Sequence, residues 1–186
     1  MSYYYQPAED SFFLAEIVKE FILKIKIKQD IKNIKCLDLG TGSGIQSKNL
    51  IKLKIPKKNI TAIDINSEAL KQAKKLDVKT IKSNLFENLK NKSYNFLLFN
   101  PPYLPENKYD KKPDTTGGKN GDEVIIKFIN QLPKHLTKQG TALLLTSSET
   151  PERKWKLESK KQKLKVNKLA IKKMFFEELY IWEITK

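Results

Sequence analysis

An apolar segment runs directly into a glycine-rich turn at Ile34-Lys35-Cys36-Leu37-Asp38-Leu39-Gly40-Thr41-Gly42-Ser43-Gly44. The apolar part predicts a short strand, and the residues after the turn predict a helix. Glycine permits backbone torsions that other residues disfavour and lets a ligand approach the main chain closely. In open α/β sheets such a turn lies at the carboxyl edge, where ligands bind. The stretch predicts an α/β fold with a binding site at this turn, although a tight loop alone would also use these glycines.

A carboxylate stands at the end of the next predicted strand. Asp64 lies twenty positions beyond Gly44, where a carboxylate can accept both hydroxyls of a ribose. The alternative is a plain helix-start role for Asp64. Dinucleotide sites use Gly-x-Gly-x-x-Gly, whose third glycine lets a helix pack beneath a pyrophosphate. The spacing from Gly40 is Gly-x-Gly-x-Gly instead, which favours a nucleoside without a pyrophosphate, namely S-adenosylmethionine.

Alternating apolar runs and helical patterns surround this turn. The predicted helices cover residues 7–28, 45–53, 67–75, 121–136 and 152–163. The predicted strands cover residues 34–37, 60–63, 78–81, 94–99, 141–146, 165–174 and 178–185. This order predicts a doubly wound, mostly parallel seven-stranded α/β sheet with an antiparallel C-terminal strand. We expect one domain over 1–186, in which the helical segment 1–30 contributes to the cofactor site.

The turn Asn100-Pro101-Pro102-Tyr103 follows the strand predicted at 94–99. The two prolines fix φ and donate no backbone hydrogen bond, so the chain leaves the strand along one rigid path. The side-chain oxygen of Asn100 and the carbonyl of Pro101 then form two fixed acceptors for a planar –NH2 group, with Tyr103 against its face. The turn predicts chemistry at a conjugated nitrogen, either an amide or an exocyclic base amine. A corner in which Asn100 only caps backbone groups is the alternative.

Composition narrows the class of protein. The chain has 186 residues, with Cys36 as its only cysteine and His135 as its only histidine. It therefore has no disulfide framework and no Cys/His metal cluster, so we expect no metal site. A Ser-His-Asp mechanism would rest entirely on His135, in a Lys-flanked helical stretch. No apolar run approaches the about 20 residues that cross a membrane, and the N-terminus lacks a signal-peptide pattern, so we expect a cytoplasmic protein without membrane contact.

The formal net charge of +15 raises the question of nucleic-acid binding. Arg153 is the only arginine, and the excess is lysine in a chain also rich in Ile and Asn. These three residue types share A/T-rich codons, so genome composition accounts for much of the charge. Nucleic-acid surfaces usually also use arginine for bidentate contacts. The charge still favours an acidic or ribosome-associated partner.

Two further motifs join the turn at 100–103, namely Tyr5-Gln6-Pro7-Ala8-Glu9-Asp10-Ser11 and Gly117-Gly118-Lys119-Asn120-Gly121. Together these three motifs resemble the HemK-type protein-glutamine methyltransferases. The chain is most similar to the short archaeal and eukaryotic branch. The resemblance implies a class I methyltransferase that uses S-adenosylmethionine and modifies the Gln of the Gly-Gly-Gln loop in a class-one translation release factor. It also implies a small zinc-binding activator protein as a possible heterodimer partner.

The same resemblance assigns roles by position. The residues implied to bind the cofactor are Ser11 at its methionine end with Asp38, Gly40 and Gly42, Asp64 at the ribose, Asn84 and Leu85 at the adenine, and Asn100 beside the methyl group. The residues implied to hold the substrate amide are Asn100, Pro101, Pro102 and Tyr103, of which Asn100, Pro101 and Tyr103 are the catalytic set. Position 84 is commonly Asp in this family, so Asn84 predicts weaker cofactor binding. Simple capping roles for Asp10, Ser11 and Asn84 are the alternatives.

Two other functions fit parts of the sequence. An adenine N6-methyltransferase acting on DNA or RNA would use the same turn, because a flipped adenine also presents a conjugated –NH2. A non-catalytic scaffold on the ribosome would use the charge but leave the motifs without a role. The basic segment 152–168 is either a partner-binding helix or a solvated helix face.

Overall fold

The computed structural model describes residues 4–28, 30–106 and 115–186. Five α-helices are described: α1 (Glu9–Lys28), α2 (Ile45–Lys52), α3 (Ser67–Lys74), α4 (Glu123–His135) and α5 (Glu152–Lys161). Seven strands form one sheet: β1 (Cys36–Leu39), β2 (Ile60–Asp64), β3 (Lys79–Lys82), β4 (Tyr94–Phe99), β5 (Leu136–Ser147), β6 (Lys165–Lys173) and β7 (Glu178–Thr185). None of these helices combines the length and the apolar character that a membrane crossing requires.

The sheet confirms the predicted doubly wound α/β class. Its strand order is β3-β2-β1-β4-β5-β7-β6. Strands β1 to β5 pair in parallel, and β7 runs antiparallel to both β5 and β6. The order reverses beside β1, where the chain winds first toward β3 and then toward β6. That reversal opens a crevice at the carboxyl ends of β1 and β4.

Two apolar layers cover the two faces of the sheet. On one face α1 and α2 contribute Leu14, Val18 and Leu50 to the buried core. On the other face α4 contributes Phe128 and α5 contributes Trp155. Because both faces are covered, the central strands are continuous apolar runs rather than alternating ones. All four residues of β1 are buried.

Strand β5 differs most from its predicted extent. It begins at Leu136, directly after α4, rather than at residue 141. The residues Lys138-Gln139-Gly140 are typical of a turn, but they remain in the strand because β5 pairs with β4 from Tyr94 onward, across a register shift. β1 begins at Cys36 rather than residue 34 and extends to Leu39. Sheet pairing, which depends on distant strands, set both boundaries.

Candidate functional site

A cavity of about 670 Å³ opens at the carboxyl edge of the sheet. Among its lining residues are all those predicted from sequence, namely Ser11, Asp38, Gly40, Gly42, Asp64, Asn84, Leu85, Asn100, Pro101, Pro102 and Tyr103. They come from α1, from the carboxyl ends of β1 and β2, and from the turns that follow β1, β3 and β4. The parallel strands carry these turns to one edge, so residues far apart in sequence share one wall. The individual roles of these residues stay predictions.

The turn after β1 has the backbone of a glycine turn. Gly40 has φ +66° and Gly42 has φ +51°, torsions that residues with a Cβ rarely adopt. The Thr41 N–H donates to the carbonyl oxygen of Ile63 at 2.8 Å, which ties the turn to β2. A ligand in the cavity can therefore approach the main chain of this turn without meeting side chains at Gly40 or Gly42.

Asp38 is buried beneath the turn and organises it. Its Oδ2 accepts hydrogen bonds from Thr41 Oγ1 at 2.7 Å, from Ser47 Oγ at 2.6 Å and from Ser47 N at 3.0 Å. Burial raises the pKa of the Asp38 carboxyl, and these three bonds oppose that rise. Asp38 thus joins the turn to the start of α2 and also lines the cavity.

Asp64 ties the second strand to the same turn. Its Oδ2 accepts from the Gly42 N–H at 2.9 Å, and its Oδ1 accepts from the Asn66 N–H at 2.8 Å. Burial raises its pKa, while these backbone donors lower it. Asn66 is the residue that caps α3, because its side chain accepts from the Glu68 N–H at 2.9 Å. The Asp64 carboxylate is therefore held in a fixed position and keeps lone-pair capacity for a hydroxyl donor.

Asn84 and Leu85 form the wall that follows β3. Leu85 has φ +49°, an uncommon torsion for a bulky residue that persists only where its surroundings hold it. The Ser83 N–H donates to the Asp64 carbonyl at 3.0 Å and supplies part of that restraint. Asn84 Nδ2 donates to Glu87 Oε1 at 2.9 Å. The amide oxygen of Asn84 is thereby set as an acceptor that an adenine amino group can use.

The bond between Asn84 and Glu87 decides what a substitution at position 84 does. Asn84→Asp alone removes the Nδ2 donor and places the new carboxylate against that of Glu87. This repulsion offsets the gain of a charged acceptor, so we expect the Kd for S-adenosylmethionine to change by less than about twofold. Asn84→Asp together with Glu87→Gln restores a donor and an acceptor and leaves a charged acceptor for adenine. The double variant should bind the cofactor about three- to tenfold more tightly.

Isothermal titration calorimetry with S-adenosylmethionine measures both constants, with Glu87→Gln alone as the control. If Asn84→Asp alone tightens binding as much as the double variant does, the Asn84–Glu87 bond has no bearing on affinity.

The side chain of Asn100 is held in one orientation. Its Nδ2 donates to Asp10 Oδ2 at 2.9 Å. An ionised carboxylate only accepts, so the amide nitrogen of Asn100 must face Asp10 and the amide oxygen must face away. Asn100 Oδ1 is buried and has no hydrogen-bond partner among the described residues. A buried acceptor without a partner is rare and costly in a folded protein, so this oxygen is a candidate for a contact with a ligand.

A simple helix cap was the alternative for Asp10 in the sequence, and in the structure its carboxylate has contacts beyond the helix. Asp10 lies in the first turn of α1. Tyr5 Oη lies 2.9 Å from each of its carboxylate oxygens and donates to them, and Asn100 Nδ2 donates to Oδ2. Its own backbone neighbour, the Ser11 N–H, donates to Oδ1 at 2.5 Å. Asp10 is only 5% exposed. It connects the N-terminal motif to the turn at Asn100, a link for which its position between Glu9 and Ser11 was the only signal.

A second unpartnered acceptor belongs to Gln46, which the sequence did not single out. Gln46 Nε2 donates to the Ser11 carbonyl at 2.8 Å, so its amide oxygen faces the other way. Gln46 Oε1 is buried without a hydrogen-bond partner in the described part of the chain, and Gln46 lines the cavity. Ser11 lies beside it at the start of α1. An ammonium group is a donor that could satisfy this oxygen.

The glycine motif at residues 117–121 packs against the backbone of the turn at residues 100–103. A Cβ on Gly117 would lie 2.6 Å from the Pro102 carbonyl oxygen, and one on Gly121 would lie 2.7 Å from the Tyr103 carbonyl oxygen. Only glycine permits so close an approach of two backbones. From the loop after β5, Thr150 Oγ1 donates to the same Tyr103 carbonyl at 3.1 Å. The motif therefore shapes the turn, whereas Thr150 gave no sequence signal at all.

Tyr103 forms a neutral aromatic wall of the cavity. Burial raises the pKa of its phenol, and the nearby carboxylates of Asp10 and Glu177 raise it further. The phenol therefore stays protonated at physiological pH, and its ring is available to a planar group. Pro101 and Pro102 line the cavity beside it.

His135 has a structural role. Its ring stacks on Phe86 with centroids 4.5 Å apart, and Nδ1 lies 2.8 Å from the Lys92 carbonyl oxygen. It lies outside the cavity lining. Within the described ranges, no group of three or more His, Cys, Asp or Glu residues is arranged to hold a metal ion.

Comparison with known proteins places these features in a family. The sequence model of the methyltransferase small domain matches residues 21–175. The putative protein N5-glutamine methyltransferase of Methanocaldococcus jannaschii is 37% identical over 95% of this chain and 89% of that protein. The release factor glutamine methyltransferase of Rhodopirellula baltica is 32% identical over 58% of this chain but only 43% of its own length.

Among solved structures, the E. cuniculi Mtq2–Trm112 complex, responsible for methylation of the translation termination factor eRF1, contains a similar chain. That chain superimposes with a TM-score of 0.76 over 98% of each chain at 23% identity. At this identity the likeness concerns the fold. The two chains therefore share a fold.

Proposed function

The chain belongs to the methyltransferase small domain family of S-adenosylmethionine-dependent enzymes, and from that premise we propose that it methylates the side-chain amide nitrogen of a protein glutamine. We propose as substrate the Gln of the Gly-Gly-Gln loop in a class-one release factor. The observation that carries the proposal is the oriented, unpartnered oxygen of Asn100. The names of the relatives and the eRF1 activity of the Mtq2 complex support the choice of substrate.

The residues of the cavity fit the cofactor. Asp64 would hold the ribose, Asn84 and Leu85 the adenine, and Ser11 with Gln46 Oε1 the amino-acid end. The glycine turn leaves its main chain open to a close ligand. When bound, S-adenosylmethionine supplies a methyl group on a positively charged sulfur. The cavity suits that charge, because Asp10, Asp38 and Asp64 line it.

The Asn100 turn would act on the substrate amide. An amide nitrogen is a poor nucleophile because its lone pair is delocalised into the carbonyl. Asn100 Oδ1 and the Pro101 carbonyl, the predicted second acceptor, would each accept a hydrogen bond from one N–H of the substrate amide. These two bonds would aim the nitrogen lone pair at the methyl group. The same acceptors stabilise the positive charge that builds on the nitrogen during transfer. Tyr103 would cover the planar face.

No strong base is needed in this scheme. The methylated nitrogen becomes acidic and can release its proton after transfer. The described residues that line the cavity accordingly offer no histidine, and the Asp10 carboxylate is already engaged by Tyr5 and Asn100. Asp10 therefore acts through Asn100 rather than on the substrate.

The charge of the cavity argues against the adenine alternative. Lysine and arginine make up 36 of 186 residues, yet the described residues that line the cavity include none of them. An enzyme that flips a base must hold the flanking phosphates, which usually takes Lys or Arg beside the pocket. Among the described residues, α5 and β6 each carry four lysines, and none of these lines the cavity.

Methyl transfer from labelled S-adenosylmethionine tests the proposal. The acceptors are a class-one release factor, the same factor with its Gly-Gly-Gln glutamine changed to Ala, and an RNA control. We expect label on the unchanged factor alone. Equal label on both factors, or label on RNA, would contradict the substrate assignment, whereas the membership of the methyltransferase family would still hold.

We further propose that the enzyme works with a small zinc-binding activator subunit. The support is the two-chain assembly of the Mtq2–Trm112 complex and the open edges of the sheet at β3 and β6. An open edge offers unpaired backbone groups that another protein can cover. Purified enzyme that is monomeric and fully active by itself would contradict this proposal.

A further inference from the structure

The turn between β6 and β7 carries a pair of aromatic rings that nothing in the described structure covers. Phe175 is 91% exposed and Phe176 is 90% exposed. Their rings are in edge contact, with centroids 4.7 Å apart. Two adjacent phenylalanines in full contact with water are unfavourable for an isolated protein, so such a pair indicates a binding surface. We call Phe175 and Phe176 the aromatic pair.

The aromatic pair lies at the same edge of the sheet as the cavity. β7 begins at Glu178, whose carbonyl accepts from the Ser148 N–H at 2.8 Å just beyond the end of β5. Thr150 follows in that loop and holds the Tyr103 carbonyl. From the other side of the turn, Lys172 Nζ lies 2.5 Å from Glu9 Oε2 at the start of α1. The pair therefore stands at the same edge of the sheet as the cavity, and the loop after β5 links its turn to Tyr103 of the cavity lining. We call this part of the edge the rim.

Glu177 connects the aromatic pair to the cavity electrostatically. Its carboxylate is close enough to Tyr103 to raise the pKa of the phenol. Glu177 Oε2 is buried and has no hydrogen-bond partner among the described residues. A shallow second cavity of about 250 Å³ is lined by both phenylalanines together with Met174 and Glu177. The rim thus offers an apolar surface and an acceptor side by side.

The size of this surface indicates the kind of partner. Two phenylalanine side chains bury about 300–500 Å² at most, well below the about 800 Å² per partner of a stable interface. A permanent subunit would need a larger apolar face than the pair supplies. A protein substrate whose reactive residue enters the neighbouring cavity already contacts the enzyme there. For such a partner, the small apolar contact that the aromatic pair supplies is sufficient.

We infer that the aromatic pair is a docking site for the protein substrate, which places an apolar side chain on Phe175 and Phe176 and a hydrogen-bond donor beside Glu177. The inference rests on the proposed function, because it makes the occupant the substrate surface that flanks the methylated glutamine. A contact at the aromatic pair would also let the enzyme distinguish a folded protein from free glutamine. The docking contact would affect substrate binding and leave the chemistry at Asn100 unchanged.

The test compares steady-state kinetics of the wild-type enzyme and the variant Phe175→Ser/Phe176→Ser, with the intact release factor as methyl acceptor. We expect KM for the factor to rise about 10- to 100-fold, as for loss of an aromatic anchor, with kcat and the Kd for S-adenosylmethionine within about twofold. Because both side chains are almost fully exposed, the variant should keep the melting temperature of the wild type. Ile27→Ser is the matched control.

Ile27 is 86% exposed and lies near the far end of α1, about 25 Å along the helix from Asp10. Its replacement removes a similar exposed apolar side chain and should leave KM unchanged. An unchanged KM in the double variant, or a fall in kcat alone, overturns the inference while the proposed function stands. A wild-type enzyme that does not methylate the factor overturns the proposed function itself, and the inference with it.

Discussion

Asn100→Ala is expected to lower kcat for methyl transfer by about 10³-fold, the cost of removing an oriented group that stabilises developing charge. The loss should appear in kcat, because Asp10 holds Asn100 Nδ2 and so leaves Oδ1 for a contact that strengthens as charge builds on the substrate nitrogen. The Kd for S-adenosylmethionine should weaken by less than about fivefold, since the other walls of the cavity remain. Single-turnover kinetics and calorimetry measure the two effects separately.

Asn167→Ala is the matched control for this substitution. Asn167 is exposed near the start of β6, at the opposite end of that strand from the cavity. Its variant should retain wild-type kinetics. A rate for Asn100→Ala within about tenfold of the wild type would show that the unpartnered oxygen does not serve the transition state.

Asp10→Asn is expected to lower kcat by about 100-fold, although Asp10 does not touch the substrate. The new amide can donate a hydrogen bond, so Asn100 is no longer forced to turn its nitrogen toward position 10. In the flipped arrangement Asn100 would present –NH2 to the substrate –NH2, two donors facing each other. The isosteric change should leave the fold intact, which thermal unfolding checks.

A double-mutant cycle separates this orienting role from a general loss of structure. In an Asn100→Ala background, Asp10→Asn should cost less than about threefold, because the side chain that it orients is absent. If the kcat of the double variant falls by the product of the two single-variant losses, Asp10 does not act by positioning Asn100. Glu9→Gln, at the exposed neighbouring carboxylate paired with Lys172, is the control and should change kcat less than about twofold.

Much of the fold was predictable because it depends on local patterns. An apolar run marks the strand at Tyr94–Phe99, and the helix at Ile45–Lys52 is marked by its helical spacing and by the glycine turn that precedes it. The strand β5 was predicted too short, since its residues near Gly140 are typical of a turn and its pairing with β4 overrides that preference. Local propensity is a weak term once a strand has a partner on the sheet.

The positions of the candidate site were also predictable, but their connections were not. The turns at Gly40, Asp64, Asn84 and Asn100 each carry a signal in their own few residues, and all four line the cavity. Gln46 carries no such signal, because a glutamine in the first turn of a helix is ordinary. Its significance comes only from the Ser11 carbonyl, which turns its unpartnered oxygen away from α1.

Local sequence patterns account for the order of strands and helices, the glycine turn that shapes the cofactor cavity and the rigid turn that carries the acceptor at Asn100. The direction in which that acceptor points depends on contacts between distant parts of the chain. Asp10 and Asn100 are ninety residues apart, and Gly121 and Thr150 reach the same turn from separate loops. Sequence patterns report each residue's neighbours along the chain, whereas these contacts arise because the strand order brings the ends of α1, β4 and β5 to one edge.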